Sequence, residues 1–306
     1  MKLEELESVS PSLVQKLNEI GVTSVESLIV KGFLDTKTLL PEVEEKELNQ
    51  VFLEAWRKKG FWIMTAAEYA EMEKQRLCFS TGSKALDKLI GGGIWSWWIA
   101  EFYGQQGLGK SQLLMTIVAE AANKDYTSIY IDTERTCRKS RILEIAKNRG
   151  LDHDKIDRNV IFIQSVGTEI LFEIINRLPA TIESRNVKVI CVDSLISPFR
   201  AEYIGREMLA TRQQLLNRAL NKLKIMASVY NLAVAISNQV VAVPIQTFHG
   251  YEYKPTGGFI LGHAGEPIVE IIRSEGSKRI ARLVDSSWLP EGQVVFRITE
   301  KGATDV

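Results

Sequence analysis

Residues Gly104–Ser111 read GQQGLGKS, a match to the spacing G-x-x-x-x-G-K-[ST]. Glycines at 104, 107 and 109 let successive backbone N–H groups face phosphate oxygens with no Cβ between them. A helix starting behind the loop adds the partial positive charge of its N-terminus. Lys110 is spaced to reach β- and γ-phosphates, and Ser111 to hold Mg²⁺ through its hydroxyl. The run Gly104, Gln105, Gln106, Gly107, Leu108, Gly109, Lys110, Ser111 and Gln112 is therefore the candidate nucleotide site, with ATP and Mg²⁺ as its expected ligands. Two further stretches end in carboxylates. VKVICVDS, Val187–Ser194, is an apolar run that would deliver Asp193 beside the loop as a second magnesium ligand. IDTE, Ile131–Glu134, ends another run in two acids. Water is a poor nucleophile toward an anionic phosphoryl group, so one acid is needed to orient or deprotonate it. By position alone, Asp132 and Glu134 are equal candidates.

Such a loop works only between a strand and a helix. The residues before it, Trp97–Tyr103, are apolar and aromatic enough for a buried strand, and Gln112–Ala122 reads as a helix. Beyond it the pattern predicts alternating strands (128–132, 160–164, 187–193, 232–237) and helices (139–149, 169–183, 206–230), as in a parallel sheet with crossover helices. Segments 268–273, 279–285 and 294–299 alternate apolar and polar residues and read as antiparallel strands at the sheet edge. Before position 60 the spacing is helical: Leu13, Leu17 and Ile20 lead to Gly21, Ser24 opens a second helix, and Leu48, Val51, Phe52 and Ala55 share a face of Glu44–Lys59. The expected layout is a small helical domain over 1–60, a linker over 61–79 and an α/β core over 80–306.

Composition narrows the class. The chain has 306 residues, and its 38 basic and 38 acidic side chains cancel, so any nucleic-acid site must be a local patch. No run of 18 apolar residues appears and the start, MKLEELESVS, lacks a signal-peptide core, so a membrane is not an expected partner and the expected location is cytoplasmic. Cys78, Cys137 and Cys191 have neither disulfide-frame nor zinc spacing and read as reduced thiols.

From Ser80 to Gly302 an ordered series resembles the archaeal RadA recombinases and their eukaryotic relatives. It comprises STGSKALDKLIGGGI at 80–94, IDTE at 131–134, AEYIGREMLATRQQ at 201–214, SNQV at 237–240 and KRIARLVDSSWLPEG at 278–292. The resemblance implies a RecA-type ATPase core with a mostly parallel central sheet behind a helix-hairpin-helix-like domain. It also implies DNA-dependent ATP hydrolysis and strand exchange on a nucleoprotein filament, with a location on the nucleoid in an archaeon or in the nucleus of a eukaryote. It assigns the catalytic acid to Glu134, with Lys110 and Gln239 beside it, Gln239 sensing the γ-phosphate. Arg141 would stack on adenine, and His263, Asp285 and Pro290 would reach the nucleotide of a neighbouring subunit.

DNA would be held by two loops. One, over 200–212, carries Arg200, Arg206 and Arg212 for phosphates. The other, over 240–256, holds Val241, Phe248, Tyr251 and Lys254 in a stretch read as too irregular for strand or helix, with aromatics suited to stacking on bases. Expected partners are single- and double-stranded DNA, further copies of the chain through the linker and the ATP interface, and another recombinase subunit.

The chain departs from the family pattern at subunit contacts. Where the family's linker has Phe-x-x-Ala, plugging the next subunit, this chain has Ile63-Met64-Thr65-Ala66. Ile63 offers less contact area than a phenyl ring, a loss of about 1–2 kcal/mol, and Phe61 or Trp62 would compensate if the register slipped. Val9–Ser12 lacks the glycines of the family's DNA-approaching hairpin, residues 123–127 form a shortened connection, and Cys137 stands where a phenylalanine is expected. Three functions remain open at this stage: a strand-exchange recombinase, a RadA paralogue that binds ATP and assists another filament, and a regulatory phosphate-loop ATPase without DNA.

Overall fold

The computed structural model describes residues 1–244, 251–256 and 265–306. A 3-10 turn, Leu3–Glu5, precedes helices α1 (Pro11–Glu19), α2 (Val25–Lys31), α3 (Phe33–Leu39), α4 (Glu45–Lys58) and, after the linker's first residues, α5 (Ala66–Glu73). Then come β1 (Cys78–Phe79), α6 (Lys84–Leu89), β2 (Ile94–Trp95), β3 (Ile99–Tyr103), α7 (Lys110–Asn123), β4 (Thr127–Asp132), α8 (Lys139–Arg149), α9 (His153–Asn159) and β5 (Val160–Gln164). They are followed by α10 (Thr168–Ser184), β6 (Val187–Asp193), α11 (Ser197–Glu202), α12 (Leu209–Val229), β7 (Ala233–Asn238), β8 (Val240–Pro244) and β9 (Tyr251–Pro255). The chain ends in β10 (Ile268–Arg273), β11 (Lys278–Asp285), β12 (Gly292–Thr299) and β13 (Gly302–Thr304).

The main sheet has the order β13-β12-β11-β10-β3-β7-β6-β4-β5. From β10 to β5 every neighbouring pair is parallel, and β10 to β13 are joined antiparallel. Strands β3, β4 and β7 are buried along their whole length, as expected of strands covered by helices on both faces. On one face α7 packs with Leu113, Leu114, Ile117 and Val118 buried; on the other, Leu171 and Ile175 of α10 meet Leu216, Leu220 and Leu223 of α12. The fold is α/β around a mostly parallel central sheet.

Three sequence expectations need correction. Segment 268–273 is antiparallel only to β11; towards β3 it runs parallel, Ile268 opposite Glu101, because residue alternation reports one-sided burial and says nothing about strand direction. The long helix starts at Leu209 rather than Arg206, since Gly205 at φ +92° and the turn after it break the approach. Within 240–256, residues 240–244 and 251–255 are strands, not irregular: β8 and β9 pair antiparallel from Val240 opposite Pro255 to Pro244 opposite Tyr251. Its β-branched and aromatic composition, VVAV and YEY, was the signal for strands.

The N-terminal helices share a core of Leu13, Leu17, Leu28, Leu48 and Val51. Ser10 caps α1 by accepting from the Leu13 N–H, with Pro11 at the first helical position, which is the local use of the glycine-free Val9–Ser12 stretch. The bundle is seated on α10 and α12. Val229 of α12 is buried among the bundle's residues, Ser24 and Tyr230 both donate to Glu183, and Asp35 accepts from Arg218 Nη2 and Lys222 Nζ at 2.8 Å each. In the linker, Phe61 packs edge-on against Trp56 with ring centres 5.1 Å apart, and Trp62 lies under the Arg57 guanidinium. Ile63 is left 89% exposed. Among the described residues no helix is long and apolar enough to cross a membrane, and Cys78, Cys137 and Cys191 are free thiols.

Candidate nucleotide site

Gly104–Gly109 connects β3 to α7 at the C-terminal edge of the parallel strands. Close packing explains two of its glycines. A Cβ on Gly104 would collide with the Ile271 carbonyl, and one on Gly109, at φ +91°, would come within 2.6 Å of Ile298. The loop is thus pressed against the antiparallel strands. Beside it lies a cavity of about 310 Å³ lined by Gln106, Gly107, Gly109, Lys110, Ser111 and Gln112 of the loop and helix, and across from them by Glu134, Asp193 and Gln239.

Each charged group in the cavity is held by a partner. Lys110 Nζ donates to the carbonyls of Gly104 and Gln105 at 2.8 Å, and burial pulls its pKa below the ordinary lysine range although Asp193 and Glu134 oppose the shift. Its bonds go to neutral carbonyls only, so the cation is available to an anion. Asp193, at the end of β6, accepts from Tyr130 OH at 2.6 Å and from Ser237 Oγ. Its neighbourhood pushes the Tyr130 phenol well up, first through burial and then through the Asp193 charge. The Ser111 hydroxyl and the Asp193 carboxylate line the same cavity, and a pair of hard oxygen donors suits Mg²⁺.

The two acids of IDTE separate in three dimensions. Asp132 is buried and accepts from the backbone N–H groups of Glu134 and Cys137 at 3.1 and 2.9 Å, closing the turn after β4. Glu134 faces the cavity, where its Oε1 accepts from Ser194 Oγ at 2.9 Å and Gln239 Nε2 at 2.8 Å. Cys137, half-buried behind that turn, has its thiol pushed up to about 12 by burial and then by Asp132 and Asp193.

Gln239 is the junction of the site. Its Oε1 also accepts from Arg200 Nη1 of α11 at 3.2 Å. Its backbone N–H donates to Asn238 Oδ1 at 2.7 Å, and its carbonyl accepts from Thr256 N at 2.8 Å. Asn238 Nδ2 donates both to the Thr256 carbonyl and to Glu101 Oε1, each at 2.8 Å. The root of the β8–β9 pair is therefore tied to β7 and β3 directly beside Gln239. Glu101 is buried, its Oε2 has no partner among the described residues, and burial raises its carboxyl to about 7.

Other expected residues lie apart from the cavity. Arg141 donates to Gln112 Oε1 and to the carbonyls of Thr299 and Glu300, joining α8 to the last strands. Asp285 and Pro290 are exposed at the β11–β12 connection. His263 and Phe248 lie outside the described residues, and Val241, Tyr251 and Lys254 are placed by their strands alone. Arg206 is exposed in the turn before α12, whereas Arg212 Nη1 bonds the Tyr203 carbonyl at 3.4 Å. Sequence reasoning missed four cavity residues: Ser194, Ser237, Arg279 and Ile298. Ser194, Ser237 and Arg279 sit within stretches already singled out, but nothing assigned Arg279 to the cavity and nothing local marks Ile298; strand pairing brings Arg279 and Ile298 in from far along the chain. A larger cavity of about 620 Å³, between Trp62 and Tyr69 of the linker and Trp97, Trp98 and Val229 of the core, has none of this phosphate chemistry.

A glycine loop at the C-terminal edge of a parallel sheet, with a lysine and two facing carboxylates, defines a phosphate-loop nucleotide-binding protein with a RecA-type core. Residues 72–306 match the Rad51 family. Over 311 aligned residues the chain is 36% identical to the DNA repair and recombination protein RadA of Aeropyrum pernix, with 99% of this chain and 96% of that protein covered. The chain belongs to the Rad51 family.

Proposed function

We propose that the protein is an ATP-dependent DNA recombinase that assembles on single-stranded DNA and promotes pairing and strand exchange in recombinational repair. Residues 1–60 act as a helical module, 61–79 as an assembly linker and 80–306 as the motor. Family membership, the similarity to a protein named for DNA repair and recombination, and the cavity's donor set support this reading. One observation carries it. Gln239 is hydrogen-bonded at once to Glu134 and to Arg200, and its backbone is bonded to Thr256 at the foot of the β8–β9 pair. A change at the phosphate end of the cavity therefore reaches both proposed DNA loops through one residue, by its side chain to Arg200 and its backbone to Thr256.

In the proposed mechanism the loop amides and Lys110 bind the phosphate chain, and Arg141 borders the adenine. Ser111 and Asp193 would hold Mg²⁺, which would offset phosphate charge. Glu134 orients a water and takes its proton as it attacks, while Gln239 registers the γ-phosphate and hands that state to the DNA loops. Arg200, Arg206 and Arg212 meet the DNA backbone; Val241, Phe248, Tyr251 and Lys254 meet bases and phosphates. His263, Asp285 and Pro290 complete the nucleotide site of the adjacent subunit. Exposed Ile63 and Ala66 form the linker contact with that subunit. The smaller plug favours a second reading, a RadA paralogue that self-assembles weakly and supports another recombinase's filament. Electron microscopy with ATP and single-stranded DNA tests both: continuous filaments of this chain alone support the first, and their absence despite DNA-stimulated turnover supports the second.

A further inference from the structure

Arg279, the second residue of β11, is only 9% exposed, yet it lines the same cavity as Lys110 and Glu134. Its Nε donates to the Leu108 carbonyl at 3.1 Å, and its Nη1 donates to the carbonyls of Gly276 and Lys278 at 3.0 and 2.7 Å. Among the described residues no carboxylate pairs with it. Among the described residues the charge that acts on it is Arg273, which has the same sign and joins burial in lowering its pKa. Arg273 itself approaches the loop, its Nη2 lying 3.9 Å from where a Cβ of Gly107 would be. A buried guanidinium normally has an anion beside it, because removing an unpaired charge from water is costly. Here Nη2 has no hydrogen-bond partner among the described residues and is not one of the buried unpartnered atoms, so it stays open to a ligand in a residue that lines the cavity of the phosphate loop.

We propose that Arg279 is a phosphate-contacting residue of its own subunit: its Nε turns the Leu108 carbonyl away from the loop's anion site, and its Nη2 takes a phosphate oxygen of the bound nucleoside di- or triphosphate. This rests on the reading of the cavity as the ATP site. A lysine would not do both, since it lacks the rigid fork that bonds a carbonyl and an anion at once.

The test is Mg-ADP affinity by calorimetry, at low and high salt, for wild type, Arg279→Gln and Arg279→Lys. Each variant's thermal melt without nucleotide checks its fold. Arg279→Gln should weaken ADP about 10- to 100-fold, as for loss of a hydrogen bond to a charged group, and should make the salt dependence shallower. Arg279→Lys, which keeps the buried charge and is the variant to read if Gln fails to fold, should weaken ADP less and retain the salt dependence. Unchanged ADP affinity in a folded variant would overturn the proposal. So would an affinity loss with unaltered salt dependence in Arg279→Gln, which would make the residue a loop clamp only. If wild type binds no ADP, the ATP-site reading falls and this proposal falls with it. If wild type binds ADP and the Arg279 variants bind equally well, only this proposal falls.

Discussion

The nucleotide cavity and the linker are organised in opposite ways. In the cavity Lys110, Glu134, Asp193 and Gln239 all have protein partners before any ligand arrives. In the linker, α5 buries no residue at all, and Ile63 at its edge is nearly fully exposed. Preorganised polar groups lose little freedom on binding, which suits charge stabilisation. An apolar side chain left in water gains only when another surface covers it. One chain thus holds most of its chemistry in place, while the linker surface proposed for assembly is left open to solvent. Phe61 packs on Trp56 and Trp62 lies under Arg57, so both are less open than Ile63.

The largest expected effect would break the cavity side of the comparison. Glu134→Gln keeps the side chain's shape and an acceptor for Gln239 but removes the base, so ATP turnover should fall about 10²- to 10⁴-fold with ADP binding retained. Steady-state hydrolysis with single-stranded DNA measures it, and near-normal turnover would remove Glu134 from the mechanism.

A second test probes the buried polar link behind the cavity, where Glu101 accepts from Asn238. Burial holds the Glu101 carboxyl at about 7 against 4.5 when unfolded, so the folded chain keeps this proton more tightly. Its contribution to stability is complete below pH 4.5, declines as pH rises towards 7, and stays reduced above that. The group is almost wholly buried, and among the described residues no charged side chain contributes to its shift. Glu101→Gln, a mimic of the neutral acid, should therefore match wild type near pH 4.5 and be more stable by about 3 kcal/mol at pH 8. Denaturant melts at the two pH values decide this; equal stability at both would mean the carboxyl is neither isolated nor strained.

On the linker side, Ile63→Phe should strengthen self-association of the nucleotide-free protein by about 1–2 kcal/mol, seen as a larger mass by light scattering at the same concentration. No change in mass would show that Ile63 is not the assembly contact. The smallest effect concerns DNA. Arg206→Ala should weaken single-stranded DNA modestly and lower the salt slope of binding by roughly one unit, since Arg206 stands for one phosphate contact. If affinity and slope both hold, the 200–212 segment is not the DNA site.

Much of this protein was legible in its residues because the informative signals are local. GQQGLGKS between an aromatic strand and an apolar helix is a contiguous motif, and VKVICVD is a buried strand that ends in its acid. The chain's alternation of strand and helix placed β4, β5, β6, α8 and α10 to within a residue or two, since burial on two faces leaves continuous apolar runs. Tertiary structure decided what depends on distant partners. By position Asp132 and Glu134 were equal; backbone amides occupy one, while Ser194 and Gln239, just past the ends of two other strands, hold the other at the cavity. The direction of β10, the pairing of β8 with β9 and the arrival of Arg279 at the phosphate loop all arise from strand register between segments remote in sequence. Periodicity reports which face of a segment is buried; which neighbour buries it is settled only when the sheet closes.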